Sequence, residues 1–109
     1  MATTPKVLGQ SAPGATTLTA LYTVPGATNT TVSSLTVCNT SATPTTFRIS
    51  VAPAGAGDAL SQYLFYDVTI AGNDSFVATV GLTLEATDII RVYATLATLS
   101  FSAFGIEEA

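Results

Sequence analysis

Apolar residues in this chain arrive in short alternating runs separated by clusters of Gly, Pro, Asn and Asp, the pattern of β-strands joined by turns. Residues 17–24 predict one strand, ended by Pro25-Gly26, because Pro interrupts a ladder and Gly supplies turn geometry. Residues 30–39 predict a second. Its alternation changes step between Val32 and the pair Leu35 and Val37, so a bulge is expected near Ser33-Ser34. Residues 45–51 place Phe47, Ile49 and Val51 inward and Arg48 and Ser50 outward, as in a half-exposed strand. Residues 63–70 and 75–84 flank Ala71-Gly72-Asn73-Asp74 and predict an antiparallel hairpin. In its first strand Leu64, Tyr66, Val68 and Ile70 share one face, and Tyr63, Phe65, Asp67 and Thr69 the other. Both faces are largely apolar, which places this strand mid-sheet with its second face covered by another sheet, a neighbouring subunit or a ligand. Residues 88–95 alternate Ile90, Val92 and Ala94 with Ile89, Arg91 and Tyr93, and residues 98–106 close the pattern ahead of a solvated Glu107-Glu108 tail.

Two stretches fall outside the alternation. Residues 1–17 are sparse in apolar side chains and include Pro5, Gly9, Pro13 and Gly14, so they predict an extended N-terminal arm whose Val7 and Leu8 would find partners on a neighbouring subunit. Residues 52–59 are too poor in side chains to pack and predict a protruding loop or a crossover between sheets. The expected fold is all-β, a single antiparallel β-sandwich of about seven or eight strands over residues 18–109. Paired cysteines around a Trp, the immunoglobulin hallmark, are missing, which favours a jelly-roll-like sandwich.

Composition sharpens this picture. Charged residues are 9% of the chain, against roughly 25% in ordinary soluble domains, while Thr and Ser together make up about a quarter. Thr suits a strand whose outer face is wet, since its branched Cβ favours β-structure and its hydroxyl meets water. A surface so poor in Lys and Glu also suits burial against other subunits. The net charge is −4 with only Lys6, Arg48 and Arg91 basic, so no basic stripe exists to neutralise phosphates and direct nucleic-acid binding is not expected. No run approaches the roughly 18 apolar residues of a membrane helix, and the N-terminal residues lack a signal-peptide pattern, so membrane insertion and signal-directed export are not expected.

Candidate chemistry is thin. The chain has no histidine, which removes the commonest general base and excludes Ser-His-Asp and Cys-His sites. Cys38 is the sole cysteine, so it forms no intrachain disulfide; it is read as a small residue packed in or between sheets. Asp58, Asp74, Glu85 and Asp88 fall at predicted turns, where carboxylates accept local hydrogen bonds, and no spaced acidic loop suggests a Ca²⁺ site. Asp67 differs in lying mid-strand, and pairing with Arg48 or Arg91 is its expected role. Asn29, Asn39 and Asn73 each head an Asn-x-Ser/Thr triplet, a coincidence expected where hydroxyl residues are so common. Sugar binding would need an exposed aromatic platform; with no Trp, that leaves Tyr22, Tyr63, Tyr66 and Tyr93, whose strand positions read as core or interface. No enzyme activity, cofactor or metal is expected.

Several segments together resemble small structural proteins of tailed bacteriophages, of the capsid decoration or cement type. They are Pro5-Lys6-Val7-Leu8-Gly9-Gln10, Leu21-Tyr22-Thr23-Val24-Pro25-Gly26, and Val32-Ser33-Ser34-Leu35-Thr36-Val37-Cys38-Asn39. Thr46-Phe47-Arg48-Ile49, Tyr66-Asp67-Val68-Thr69-Ile70 followed by Asn73-Asp74, Ala86-Thr87-Asp88-Ile89-Ile90-Arg91-Val92 and Leu99-Ser100-Phe101-Ser102-Ala103-Phe104-Gly105 complete the set. The resemblance implies a sandwich that oligomerises, often as a trimer, and seats on the major capsid protein of a virion after synthesis in the host cytoplasm. Val7, Leu8, Tyr63, Phe65 and Asp67 are the expected subunit contacts. The alternative is a tail fibre or baseplate module that meets a host receptor or sugar.

Overall fold

A computed structural model describes residues 3–109, which fold into two packed antiparallel sheets. The strands are β1 (Thr3–Ser11), β2 (Thr19–Thr23), β3 (Asn29–Asn39), β4 (Thr45–Ala52), β5 (Tyr63–Ile70), β6 (Ser75–Leu84), β7 (Ile89–Ala94) and β8 (Leu99–Glu108). One sheet runs β1-β8-β3-β6 and the other β2-β7-β4-β5, so every connection except β4–β5 passes from one sheet to the other. Short 3-10 turns at Pro53–Gly55 and Leu60–Gln62 shape the β4–β5 loop. That loop therefore stays within one sheet, and Arg91 Nη1 pins it by donating to Ala56 O at 2.8 Å.

Inward residues of both sheets form one core. Phe47 on β4 lies at its centre, with ring centroids 5.2 Å from Phe76 on β6 and 6.3 Å from Phe101 on β8. The expected step in β3 is present: register shifts between Val32 and Ser34 against both β6 and β8, which keeps Val32, Leu35 and Val37 all buried.

Three expectations are corrected. Residues 63–84 do not form a hairpin, and the strand at 63–70 is not central: β5 pairs with β4 and β6 with β3, each at the edge of a different sheet. The physical reason lies in the 71–74 connection. Asn73 N donates to Ser41 O at 2.8 Å and Asn39 N to Asp74 O at 2.9 Å, tying this turn to the β3–β4 loop rather than closing a ladder on itself. Gly72 is needed there because a Cβ would overlap the Ala42 backbone. The buried Asn39 side chain holds both loops together, its Nδ2 donating to Thr43 O (2.8 Å) and Ala71 O (3.2 Å) while its Oδ1 accepts from Ser41 N (3.1 Å).

The second correction concerns the N-terminal arm expected over 1–17. Residues 3–11 are an integral edge strand, β1, paired with β8 of the same chain from Thr3 opposite Glu108 to Ser11 opposite Phe101; residues 1 and 2 lie outside the described residues. Leu8, at 9% exposure, is part of the core and not a contact offered to a neighbour. Third, Cys38 is exposed, on the outer face of β3. Its neighbours Leu35 and Val37 face the core as expected, and nothing overlies the sheet on the other side at that point.

The two flanks of the sandwich differ. On the β1–β2 side Leu8, Leu21 and Tyr22 are buried, and Tyr22 OH spans the sheets to donate to Glu107 Oε2 at 2.5 Å, with Thr30 Oγ1 2.8 Å away. Lys6 Nζ completes the group 3.2 Å from Glu107 Oε1, so the expected free tail is anchored. On the β5–β6 side the inward apolar residues Phe65, Val68, Phe76, Ala78, Val80 and Leu82 are only half-buried. One flank is shut and the other is open.

Burial first, and then the bond to Glu107, push the Tyr22 phenol up from 10.0 to about 12, while that same bond holds Glu107 below its ordinary range. A raised phenol binds its proton longer in the folded than in the unfolded chain. Stability from Tyr22 is thus full below pH 10 and falls as pH rises toward about 12, by up to about 1.4 kcal/mol per pH unit. The Glu107 contribution has the opposite sign, present above the ordinary carboxylate pKa and lost on acidification. Denaturant unfolding across this range should show Tyr22→Phe less stable at neutral pH by about 1–2 kcal/mol and lacking most of the alkaline decline; an unchanged alkaline slope would contradict the assignment.

Candidate binding surface

The outer face of the β2-β7-β4-β5 sheet carries the densest group of functional side chains. Its geometry starts from a break in β5. Phe47 pairs with Val68 and Ile49 with Phe65, so Tyr66 and Asp67 together oppose the single residue Arg48. Asp67 takes φ 51, the left-handed conformation that a short polar side chain tolerates in a bulge. Strict alternation would send Tyr66 and Asp67 to opposite faces. The bulge turns both outward onto Arg48, leaving Phe65 and Val68 on the core side.

Arg48 Nε donates to Asp67 Oδ1 at 2.6 Å and Nη2 to Asp67 Oδ2 at 3.2 Å, so the carboxylate is gripped at both oxygens. The guanidinium carbon lies 4.2 Å from the Tyr66 ring centroid and 4.4 Å from that of Tyr93 on β7, within cation–π range of both. Tyr63 meets Tyr66 edge-on at 5.0 Å. The hydrogen bonds that Arg48 donates to Asp67 raise its guanidinium above an already high value; burial and then the nearby Asp58 carboxylate raise the Tyr63 phenol. Beneath this layer Ser50 is fully buried on β4, where a half-exposed strand was expected. The exposed ion pair adds little stability, about 0–1 kcal/mol, and its effect is to hold two tyrosine rings in fixed positions.

The expected contact residues are thus dispersed. Tyr63 and Asp67 belong to this outer cluster, and Asp67 finds Arg48 within its own chain. Phe65 faces the core, 6.4 Å from Phe47 and 5.3 Å from Phe76, so it does not share a face with Asp67. Val7 is 49% exposed on the β1 edge, distant in the sheet order from β5, and Leu8 is buried. Arg48, one of the two partners expected for Asp67, is joined by Tyr66 and Tyr93, which carry no sequence signal that groups them with it. Tyr66 is half-exposed at 50%, Tyr63 and Tyr93 are partly so, and only Tyr22 of the four tyrosines is core. The other sheet presents a different outer face, hydroxylic and uncharged along Thr31, Ser33, Thr36, Ser100 and Ser102.

Tyrosine and arginine grouped on an exposed sheet have the composition found at binding hot spots, and the Asp67 and cation–π contacts of Arg48 limit the conformational freedom such side chains would lose on association. Among the described residues no group of His, Cys, Asp and Glu side chains is placed to hold a metal ion, and no helix is long and apolar enough to cross a membrane. No family model, curated protein or solved structure matches the chain.

Proposed function

We propose that the protein is a structural component of a bacteriophage virion, a cement protein with a jelly-roll fold that associates with copies of itself and binds the major capsid shell. The observation that carries this reading is the strand order. Two four-stranded antiparallel sheets in the orders β1-β8-β3-β6 and β2-β7-β4-β5, with all but one connection crossing between them, support the jelly-roll reading, an architecture common among viral capsid domains. Fold alone is an argument by analogy, and three further features add to it. The resemblance to phage structural proteins is carried by segments spaced from Pro5 to Gly105; the chain's charge is unusually low; and its outer tyrosine–arginine cluster has the composition of a protein-binding hot spot. Cementing works by multiplicity. Weak contacts made together by linked copies gain from effective concentration and hold a shell that one contact would not.

The test locates the protein and then removes it. Labelling should place it on the capsid, and particles lacking it should release DNA at a lower temperature. Re-adding protein with Tyr66→Ala should need a concentration at least about tenfold higher to restore heat resistance, since a central tyrosine contact contributes about 2 kcal/mol or more. Particles equally heat-resistant without the protein would overturn the reading. The half-exposed Tyr66 ring favours one other role, a tail module that stacks on a receptor sugar; tail labelling together with lost adsorption would select it.

A further inference from the structure

The geometry points to the outer edge of β6 as a self-association site, at which a second copy of this chain adds its own β6 antiparallel across a two-fold axis through Val77. This deepens the self-association within the proposed function, and it specifies a two-fold pair where the phage resemblance implies a trimer.

An open strand edge exposes unpaired N–H and C=O groups and invites another strand, so isolated proteins blunt their edges. Three of the four edges here are blunted. β1 carries Pro5 and Lys6 and a register break between Val7 and Gly9. β2 is five residues long with a break between Ala20 and Tyr22. β5 is bent at the Asp67 bulge and presents that carboxylate outward. β6 differs on every count over residues 75–79, Ser-Phe-Val-Ala-Thr, which pair with β3 without a register shift and contain no charge, Pro or Gly.

Two observations indicate that this edge is meant to be covered. Val77, at the middle of the straight stretch, points outward and is 64% exposed, the most exposed of the large apolar residues held in a strand. Phe76 and Ala78 face inward yet remain half-buried, because the sandwich is open along this flank. A strand laid beside β6 shields both sets.

Self-pairing is the occupant that the charges favour. Across a two-fold axis through Val77 that residue faces itself and each neighbour faces its mirror position, so a charge near the axis would lie close to its own copy. In a chain of net charge −4, β6 has none. Centring the axis on Val77 sets Val77 against Val77 and Ser75 against Thr79, and it merges two four-stranded sheets into one continuous sheet.

Light scattering of the purified full chain should give the mass of two chains. Val77→Lys, which places like charges face to face on the axis, combined with Thr79→Lys, which adds a charge diagonal to that pair, should halve that mass without altering the β-sheet circular dichroism. Thr31→Lys, a charge on the same outer face but on the interior strand β3, should leave it unchanged. A second measurement does not depend on the lysine variant folding. In a Cys38→Ser background, Val77→Cys should cross-link to a covalent dimer on mild oxidation, since residues directly opposite across antiparallel strands lie within disulfide reach, and Thr31→Cys should not. A mass of one or three chains, a dimer that survives the lysines, or failure of Val77→Cys to cross-link would overturn the proposal. Particle labelling reads separately: a monomer found on capsids removes this interface alone, and a dimer missing from virions removes the virion reading alone.

Discussion

Phe47→Ala should destabilise the protein by about 3–5 kcal/mol, the largest effect expected of any single substitution in the core. Phe47 is fully buried on the interior strand β4, and its ring meets Phe65, Phe76 and Phe101, one from its own sheet and two from the facing one. Truncation removes the transfer free energy of the ring and leaves a cavity between sheets. Those sheets cannot close over it while backbone ladders fix their spacing. Total stability for a domain of this size is of order 5–15 kcal/mol, so a large part of it goes. Chemical denaturation should show a midpoint displaced in proportion, with Phe47→Leu much less affected because most of the volume is retained. A loss under about 1 kcal/mol for the alanine variant would mean that the three-ring contact is not the centre of the core.

Asn39→Ala ranks second, with an expected loss of about 3 kcal/mol. The side chain is 1% exposed and makes three hydrogen bonds, two donated to carbonyls of different loops and one accepted from Ser41 N. Alanine leaves those backbone groups without partners in a place where water has little access, which costs more than the bonds contribute. Asn39→Asp is the sharper variant: it keeps the acceptor for Ser41 N, removes both donors and sets a carboxylate against the Thr43 and Ala71 carbonyls. It should be at least as destabilising as alanine, and the loss should shrink at low pH as that carboxylate is protonated. If the two variants differ little from the unsubstituted chain, the 40–44 and 71–74 loops are joined by their backbone bonds alone. Because these loops carry the crossings β3–β4 and β5–β6, hydrogen exchange should show both loosening together.

Much was legible from the residues alone. Alternation and turn chemistry located β2 to β8 to within a few positions, as at 45–51 against Thr45–Ala52, and indicated a β-sandwich of about seven or eight strands, but not that residues 3–11 form one of them. The bulge at Ser33-Ser34 was readable because a change of step in an apolar pattern is itself a local signal. The Asp67 bulge was not: both faces of 63–70 are apolar enough that either phase fits, and Arg48, Tyr66, Tyr93 and Asp67 come from three strands. The Arg48–Asp67 pair was legible as one of two partners for a mid-strand carboxylate, whereas the placing of both tyrosine rings against it depends on which strand lies beside which.

Local sequence therefore determined what each segment is, a strand or a turn, since side-chain alternation and backbone preferences act over a few residues. Tertiary structure decided the partners. It sent β5 and β6 to opposite sheets instead of a hairpin, laid residues 3–11 on β8 instead of leaving them as an arm, and closed one flank while leaving the other open. Those outcomes rest on contacts between residues far apart in the chain, such as Asn39 with Ala71 and Tyr22 with Glu107, whose free energy exists only once the sheets have met.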